Sequence, residues 1–145
     1  MHTIYGKYDD SIGQLIGGYF VRNTGKPLTG PFTAVGWIKN EQLVGQAIFN
    51  DFTFANIEIH LHAPNCMNRK TIRDIYDYVF NILKCERLTA KPYCTNEKLL
   101  QLLERLGFIY EGSLEKYYKD NDVITDALIY KLTKNNIPNW VKMHA

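Results

Sequence analysis

The hydrophobic pattern of the chain switches between two periods. From Thr33 to Lys39, Leu43 to Asn50 and Phe52 to His62, β-branched and aromatic residues alternate with polar or small ones, which predicts three strands. Asn40-Glu41 suits a hairpin turn between the first two. From Thr71 to Lys84 the spacing becomes helical. Ile72, Ile75, Tyr76, Val79, Ile82 and Leu83 form one apolar stripe, and Thr71-x-x-Asp74 resembles a capping box with Asp in place of Glu. A short strand is predicted from Arg87 to Tyr93. A second helix follows, with Asn96 as N-cap, Leu99, Leu102, Leu103 and Leu106 on its buried face, and Gly107 as C-cap. Phe108 to Lys119 and Val123 to Thr133 read as strands around an Asp120-Asn121-Asp122 turn. Before all of these, Asp9 to Arg22 has helical spacing weakened by Gly13, Gly17 and Gly18, and Gly25 to Pro31 reads as a loop. The order is strands, helix, strand, helix and a terminal hairpin. It predicts a mixed sheet with helices on its faces, in the α/β or α+β range.

Composition narrows this little. The chain has 145 residues, enough for one domain with a substantial core, and no internal repeat or linker divides residues 1–145. A net charge of +2, with acids beside the bases throughout, is too small for a polyanion binder, so nucleic acid is not an expected partner. Cys66, Cys85 and Cys94 are unevenly spaced and odd in number, which points to buried thiols in a reducing cytosol. No apolar run is long enough to span a bilayer and the N-terminus has no signal-peptide core. The expectation is a cytoplasmic protein without a membrane partner.

Three pieces of the chain carry a resemblance. They are Ile57-Glu58-Ile59-His60-Leu61-His62-Ala63-Pro64, the Asn96 to Phe108 helix, and Tyr110-Glu111-Gly112 followed by Asp126-Ala127-Leu128. Together they make the chain similar to the GNAT superfamily of N-acetyltransferases over roughly Val35 to Leu132. The likeness is closest to the branch that modifies ribosomal-protein N-termini and to small acetyltransferase-like proteins common in phages. It implies a GNAT-like mixed, mostly antiparallel central sheet with helices on both faces, and acetyl-CoA as co-substrate.

The chain departs from the family at one place. The family opens its long helix with Arg/Gln-x-x-Gly-x-Gly/Ala, a loop whose bare backbone holds the CoA pyrophosphate. The matching segment here is Met67-Asn68-Arg69-Lys70-Thr71-Ile72, with Lys70 and Ile72 where the glycines belong. A helix N-terminus flanked by Arg69 and Lys70 is still electropositive and could hold an anion through side chains. The resemblance therefore implies cofactor contacts at Leu61, Asn68, Arg69, Lys70, Thr71 and Asn96.

Acetyl transfer to an amine needs a proton acceptor, because an unperturbed lysine amine titrates near ~10. Glu58, His60 and His62 alternate with Ile57, Ile59 and Leu61, so the three polar side chains share one sheet face. In the family a Glu at this place often acts as base, which makes Glu58 the candidate base and His60 a base or orienter. The same Glu-x-His-x-His spacing suits zinc, but no further ligands are evident, and no metal is expected. Many members carry a tyrosine general acid seven residues after the asparagine; this chain has Leu103, as the ribosomal-type branch tolerates. Tyr93, Cys94 or Thr95 could lie near the leaving sulfur, and Tyr117 and Tyr118 read as sheet packing or pocket wall.

Two functions follow. The first is an acetyl-CoA-dependent N-acetyltransferase using a protein or small-molecule amine by direct transfer in a ternary complex, since no nucleophile with a paired base stands out. The second is a non-catalytic member of the fold that binds a protein partner, which loss of the loop glycines favours. Residues Met1 to Thr33 and the tail beyond Thr133 are expected to shape the acceptor pocket. Exposed strand edges or the Trp140 tail could build a homodimer.

Overall fold

The computed structural model describes residues 1–141. Seven strands form one sheet: β1 (His2–Lys7), β2 (Thr33–Lys39), β3 (Gln42–Asn50), β4 (Asn56–His62), β5 (Arg87–Ala90), β6 (Ile109–Asp120) and β7 (Val123–Thr133). Their order across the sheet is β1-β2-β3-β4-β5-β7-β6, and every pairing is antiparallel except β4 with β5. Between those two parallel strands the chain crosses over through helix α2 (Arg69–Tyr76) and a π-helical segment (Asp77–Ile82). Helix α1 (Ser11–Thr24) joins β1 to β2, and α3 (Glu97–Arg105) joins β5 to β6.

The alternation along the strands assigns the two sheet faces. Val35 and Trp37 of β2, Ala47 and Phe49 of β3, and Ile57 of β4 are buried in one large cluster with Ile72, Ile75, Tyr76 and Val79 and with Leu103 and Leu106. Ala34 and Ile48 lie on the opposite face with Ile16 and Phe20 of α1. Helices therefore cover both faces of a mostly antiparallel sheet, as expected. Asp74 ties α2 to the sheet edge, because its Oδ2 accepts from Trp37 Nε1 at 3.1 Å and Thr3 Oγ1 at 2.7 Å.

Several elements differ from the sequence expectation. β1 has no counterpart in it, since His2-Thr3-Ile4-Tyr5 is too short a run to signal a strand by itself. β4 starts at Asn56, not Phe52, because Asp51 and Phe54 take left-handed φ of 54° and 73° and break the ladder. β5 stops at Ala90, just before Lys91-Pro92. The long helix begins at Arg69 and turns π-helical from Asp77, where Leu83 N–H bonds five residues back to Tyr78 O. That wider winding rotates the predicted stripe, so Ile82 is 56% exposed while Tyr78 and Phe80 turn inward. The capping box is also shifted. Asn68 is the N-cap and Thr71 its N3 partner, with Asn68 Oδ1 accepting from Thr71 N–H at 3.0 Å and Thr71 Oγ1 accepting from Asn68 N–H at 2.9 Å.

Helix α1 keeps Gly13 for a steric reason. A Cβ on Gly13 would stand 1.8 Å from Lys7 O, so this turn of helix rests directly on the end of β1. Gly13→Ala should therefore cost roughly 1–3 kcal/mol by overpacking, read as a lower urea midpoint at constant slope.

Candidate active site

β4 and β5 pair over only three residues, Asn56 to Glu58 against Arg87 to Thr89. Beyond that point the strands part, and the β5-facing edge of β4 is left open from Ile59 onward. A cavity of about 250 Å³ fills the gap. Its walls come from both faces of the sheet: Ile72, Ile75 and Leu103 from the α2 and α3 side, and Phe20, Thr24 and Lys26 from the α1 side. Leu61 and Asn96 also line it, as do His60, Lys91, Tyr93 and Tyr118. The passage crosses the sheet where a donor on one side could meet an acceptor on the other.

The polar group at this passage is built on β4. Glu58 is only 6% exposed. Its Oε1 lies 3.0 Å from Lys91 Nζ, and its Oε2 lies 3.2 Å from His60 Nε2. The same His60 nitrogen lies 2.9 Å from Asn50 Oδ1 on β3. With two acceptors against it, Nε2 carries the proton, and Nδ1 has no partner among the described residues. Burial alone would push the Glu58 carboxyl up, but the hydrogen bonds and charges of His60 and Lys91 outweigh it and hold the group below the usual carboxylate value. His62, expected on the same face, is held apart from this group, with its Nδ1 3.1 Å from Oε1 of the fully buried Gln46.

The β6–β7 hairpin supports the cavity from the far side. A bulge around Lys116, whose φ is 54°, re-aims Tyr118 so that its ring stacks on Tyr93 with centroids 4.1 Å apart and planes 7° apart. Tyr118 OH donates to Lys91 O at 2.5 Å. The Asp126-Ala127-Leu128 run fixes the segment after β5, since Asp126 O accepts from Cys94 N–H and Leu128 N–H donates to Pro92 O. Asn96 caps α3 by accepting from Leu99 N–H at 3.3 Å while also facing the cavity.

At the N-terminus of α2, the Asn68 and Thr71 side chains are engaged in the cap, and Lys70 Nζ is drawn to Thr3 Oγ1 at 2.8 Å and Asp74 Oδ2 at 3.0 Å. The backbone N–H groups of Arg69 and Lys70, and the Arg69 guanidinium, have no partner among the described residues. Ile72 faces inward to the cavity.

The model of the acetyltransferase (GNAT) domain family matches residues 21–129. The chain belongs to the GNAT acetyltransferase family. No curated protein sequence matches it. Among solved structures, a single-substitution form of spermidine N-acetyltransferase SpeG from Vibrio cholerae superposes with a TM-score of 0.76 at 16% identity, covering 98% of this chain and 100% of that one. A chimera of that Vibrio cholerae enzyme with hSSAT gives 0.73 at 15% identity, with 91% and 97% covered. At such identities the likeness establishes the fold.

For this GNAT protein the sequence reveals only part of the site. It singles out Glu58 and His60, which the structure brings together. It passes over Lys91, Asn50 and Lys26, because their nearness depends on the short β4–β5 pairing and on the course of the chain after α1. The one local signal is Ala90-Lys91-Pro92, a lysine between a strand and a proline that ends it. Among the cysteines, Cys66 and Cys85 are buried, and burial pushes both thiols up.

Proposed function

We propose that this GNAT protein transfers the acetyl group of acetyl-CoA directly to an amine, with His60 as the base and Glu58 as the residue that positions it. The passage through the sheet between β4 and β5, with His60 on its wall, is the observation that supports this most. Proximity across such a passage lets donor and acceptor be held at once, so no covalent enzyme intermediate is needed. The raised thiols of Cys66 and Cys85 agree with that.

Acetyl-CoA fits the residues present. The open β4 edge beyond Glu58 and the apolar wall of Leu61, Met67, Ile72 and Leu99 suit an extended amide-bearing arm. The unpartnered N–H groups of Arg69 and Lys70, helped by the Arg69 side chain, suit a pyrophosphate. Asn68 and Thr71 act by shaping that helix end, and Asn96 can contact the arm. Lys70 contributes backbone more than charge, because Asp74 already holds its ammonium.

In the reaction, His60 Nδ1 removes a proton from the acceptor ammonium. The ionised Glu58 favours the imidazolium that results, and Asn50 fixes the ring. Glu58 itself is a weak proton acceptor, because its ion pair with Lys91 keeps it ionised. Protein N-termini, from the sequence resemblance, and spermidine, from the structural neighbours, are the acceptors to assay first.

Titrating acetyl-CoA while following thermal unfolding tests the reading. Binding to the folded state at a hundred times Kd should stabilise it by about 2.7 kcal/mol, seen as a rise in Tm. No rise at millimolar acetyl-CoA would leave a partner-binding GNAT fold as the better account.

A further inference from the structure

The proposed reaction makes no use of Lys26, although it lines the same cavity. It follows α1 at once. Gly25, with a left-handed φ of 71°, caps the helix and turns the chain back over the sheet. Lys26 Nζ comes to rest 3.9 Å from the centroid of the Tyr93 ring and 5.6 Å from that of Tyr118. The two rings form a rigid platform, because they stack and because Tyr93 OH donates to Asp120 Oδ2 at 2.5 Å. An ammonium over such a face is held by the ring quadrupole. No carboxylate lies within ion-pairing distance of Lys26 among the described residues.

Its position distinguishes it from the other lysines. Lys26 lines the passage through the sheet and also a shallower hollow bounded by Thr24, Tyr93, Asn96 and Asp120. It stands between solvent and reaction cavity on the α1 side, opposite the α2 terminus. That is the side from which an acceptor amine would enter. The residue as a whole is exposed, but desolvation of its end pushes the ammonium pKa down against the opposing pull of Asp120. The neutral amine is the nucleophile, so transfer begins with loss of a proton from the ammonium that the ring face positions.

We infer that Lys26 is an acetyl acceptor of its own enzyme, modified within the same chain by acetyl-CoA. This rests on the transfer activity proposed above. The ammonium gives one proton to His60, which lines the same cavity, and a bond forms from Nζ to the acyl carbon. The thioester C–S bond breaks, the amine's second proton goes to the departing thiolate, and the products are an Nε-acetyl-lysine amide and free CoA thiol. The amide has no charge, so the cation–π hold on the Tyr93–Tyr118 platform is lost.

The test uses the full chain incubated with acetyl-CoA, sampled over time and mapped by peptide mass spectrometry. A parallel thermal-shift titration with acetyl-CoA runs on the same preparation. Acetyl should accumulate on Lys26 at least about tenfold faster than on the exposed Lys98 and Lys116. The rate constant should not depend on protein concentration. His60→Ala should slow Lys26 labelling about a hundredfold, and urea-unfolded chain should lose the preference altogether. Lys26→Arg keeps a cation on the platform and should remove the label. Labelling of Lys26 no faster than Lys98, or equal in the unfolded chain, overturns the inference, as does a rate that scales with protein concentration. A thermal shift without Lys26 labelling overturns self-acetylation alone. Absence of both overturns self-acetylation together with the transfer activity.

Discussion

His60→Ala is expected to lower kcat for an added amine by roughly 10²–10⁴-fold while leaving KM within a few-fold. In the proposed mechanism, strand geometry sets up the proton transfer. Asn50 and Glu58 both accept from Nε2, so the tautomer is fixed and the free basic nitrogen is Nδ1. Removing the ring removes that base and leaves the cavity walls otherwise in place. The side chain is about a third exposed, at 31%, and Lys91 still pairs the Glu58 carboxylate, so the fold should tolerate the loss at a modest cost in Tm. Glu58→Gln is the informative companion. The amide can still accept from His60 but no longer offers a charge to an imidazolium, so kcat should fall less than in His60→Ala. The order of the two effects decides the assignment. If Glu58→Gln abolishes turnover while His60→Ala leaves it near wild type, Glu58 is the base and His60 its orienter.

How much of this is visible in the sequence depends on whether the deciding interaction is local. The Asn40-Glu41 and Asn121-Asp122 turns are legible because left-handed φ at paired positions favours Asn and Asp, and the structure puts all four residues at φ between 48° and 66°. The α3 helix is legible because Asn96 caps it within its own first turn. The joint after it is legible at Gly107, whose φ of 97° excludes most side chains. By contrast, the π-helical winding after Tyr76 leaves no mark on a 3.6-residue stripe, and it reassigns Ile82, Tyr78 and Phe80. The site divides in the same way. Glu58 and His60 are two apart on one strand, so alternation alone places them together. Lys91 meets them from far along the chain only because β4 and β5 pair in parallel for three residues and then separate. No periodicity encodes that.

Lys91→Met should cost roughly 3 kcal/mol of stability at neutral pH, the range for stranding one partner of a buried pair. Glu58 is nearly buried, its side chain 8% exposed, and without Lys91 its only charge-bearing partner among the described residues would be His60. The sign with pH follows from linkage. In the intact protein the Glu58 carboxyl titrates below its unfolded value near ~4.3, so its contribution is present above that value and is lost as pH falls through the lower, folded one. Lys91 is the mirror case. Burial alone would lower its ammonium, but Glu58 more than offsets this and raises it, so its share is complete below ~10.4 and is lost as pH rises through the folded value. In Lys91→Met the burial of Glu58 is opposed by less positive charge, and its folded pKa moves upward. The variant therefore takes up a proton at higher pH than wild type does. Its deficit should be largest near pH 7 and should shrink as the solution is acidified toward about pH 4, because a protonated Glu58 no longer needs the cation. Urea midpoints collected across that range measure the trend. The double variant Glu58→Gln with Lys91→Met removes the stranded charge and should recover part of the loss at neutral pH. A Lys91→Met deficit below about 0.5 kcal/mol and flat with pH would put the Glu58–Lys91 contact among weak surface pairs, and Glu58 would then lose the charge partner that keeps it ionised beside His60.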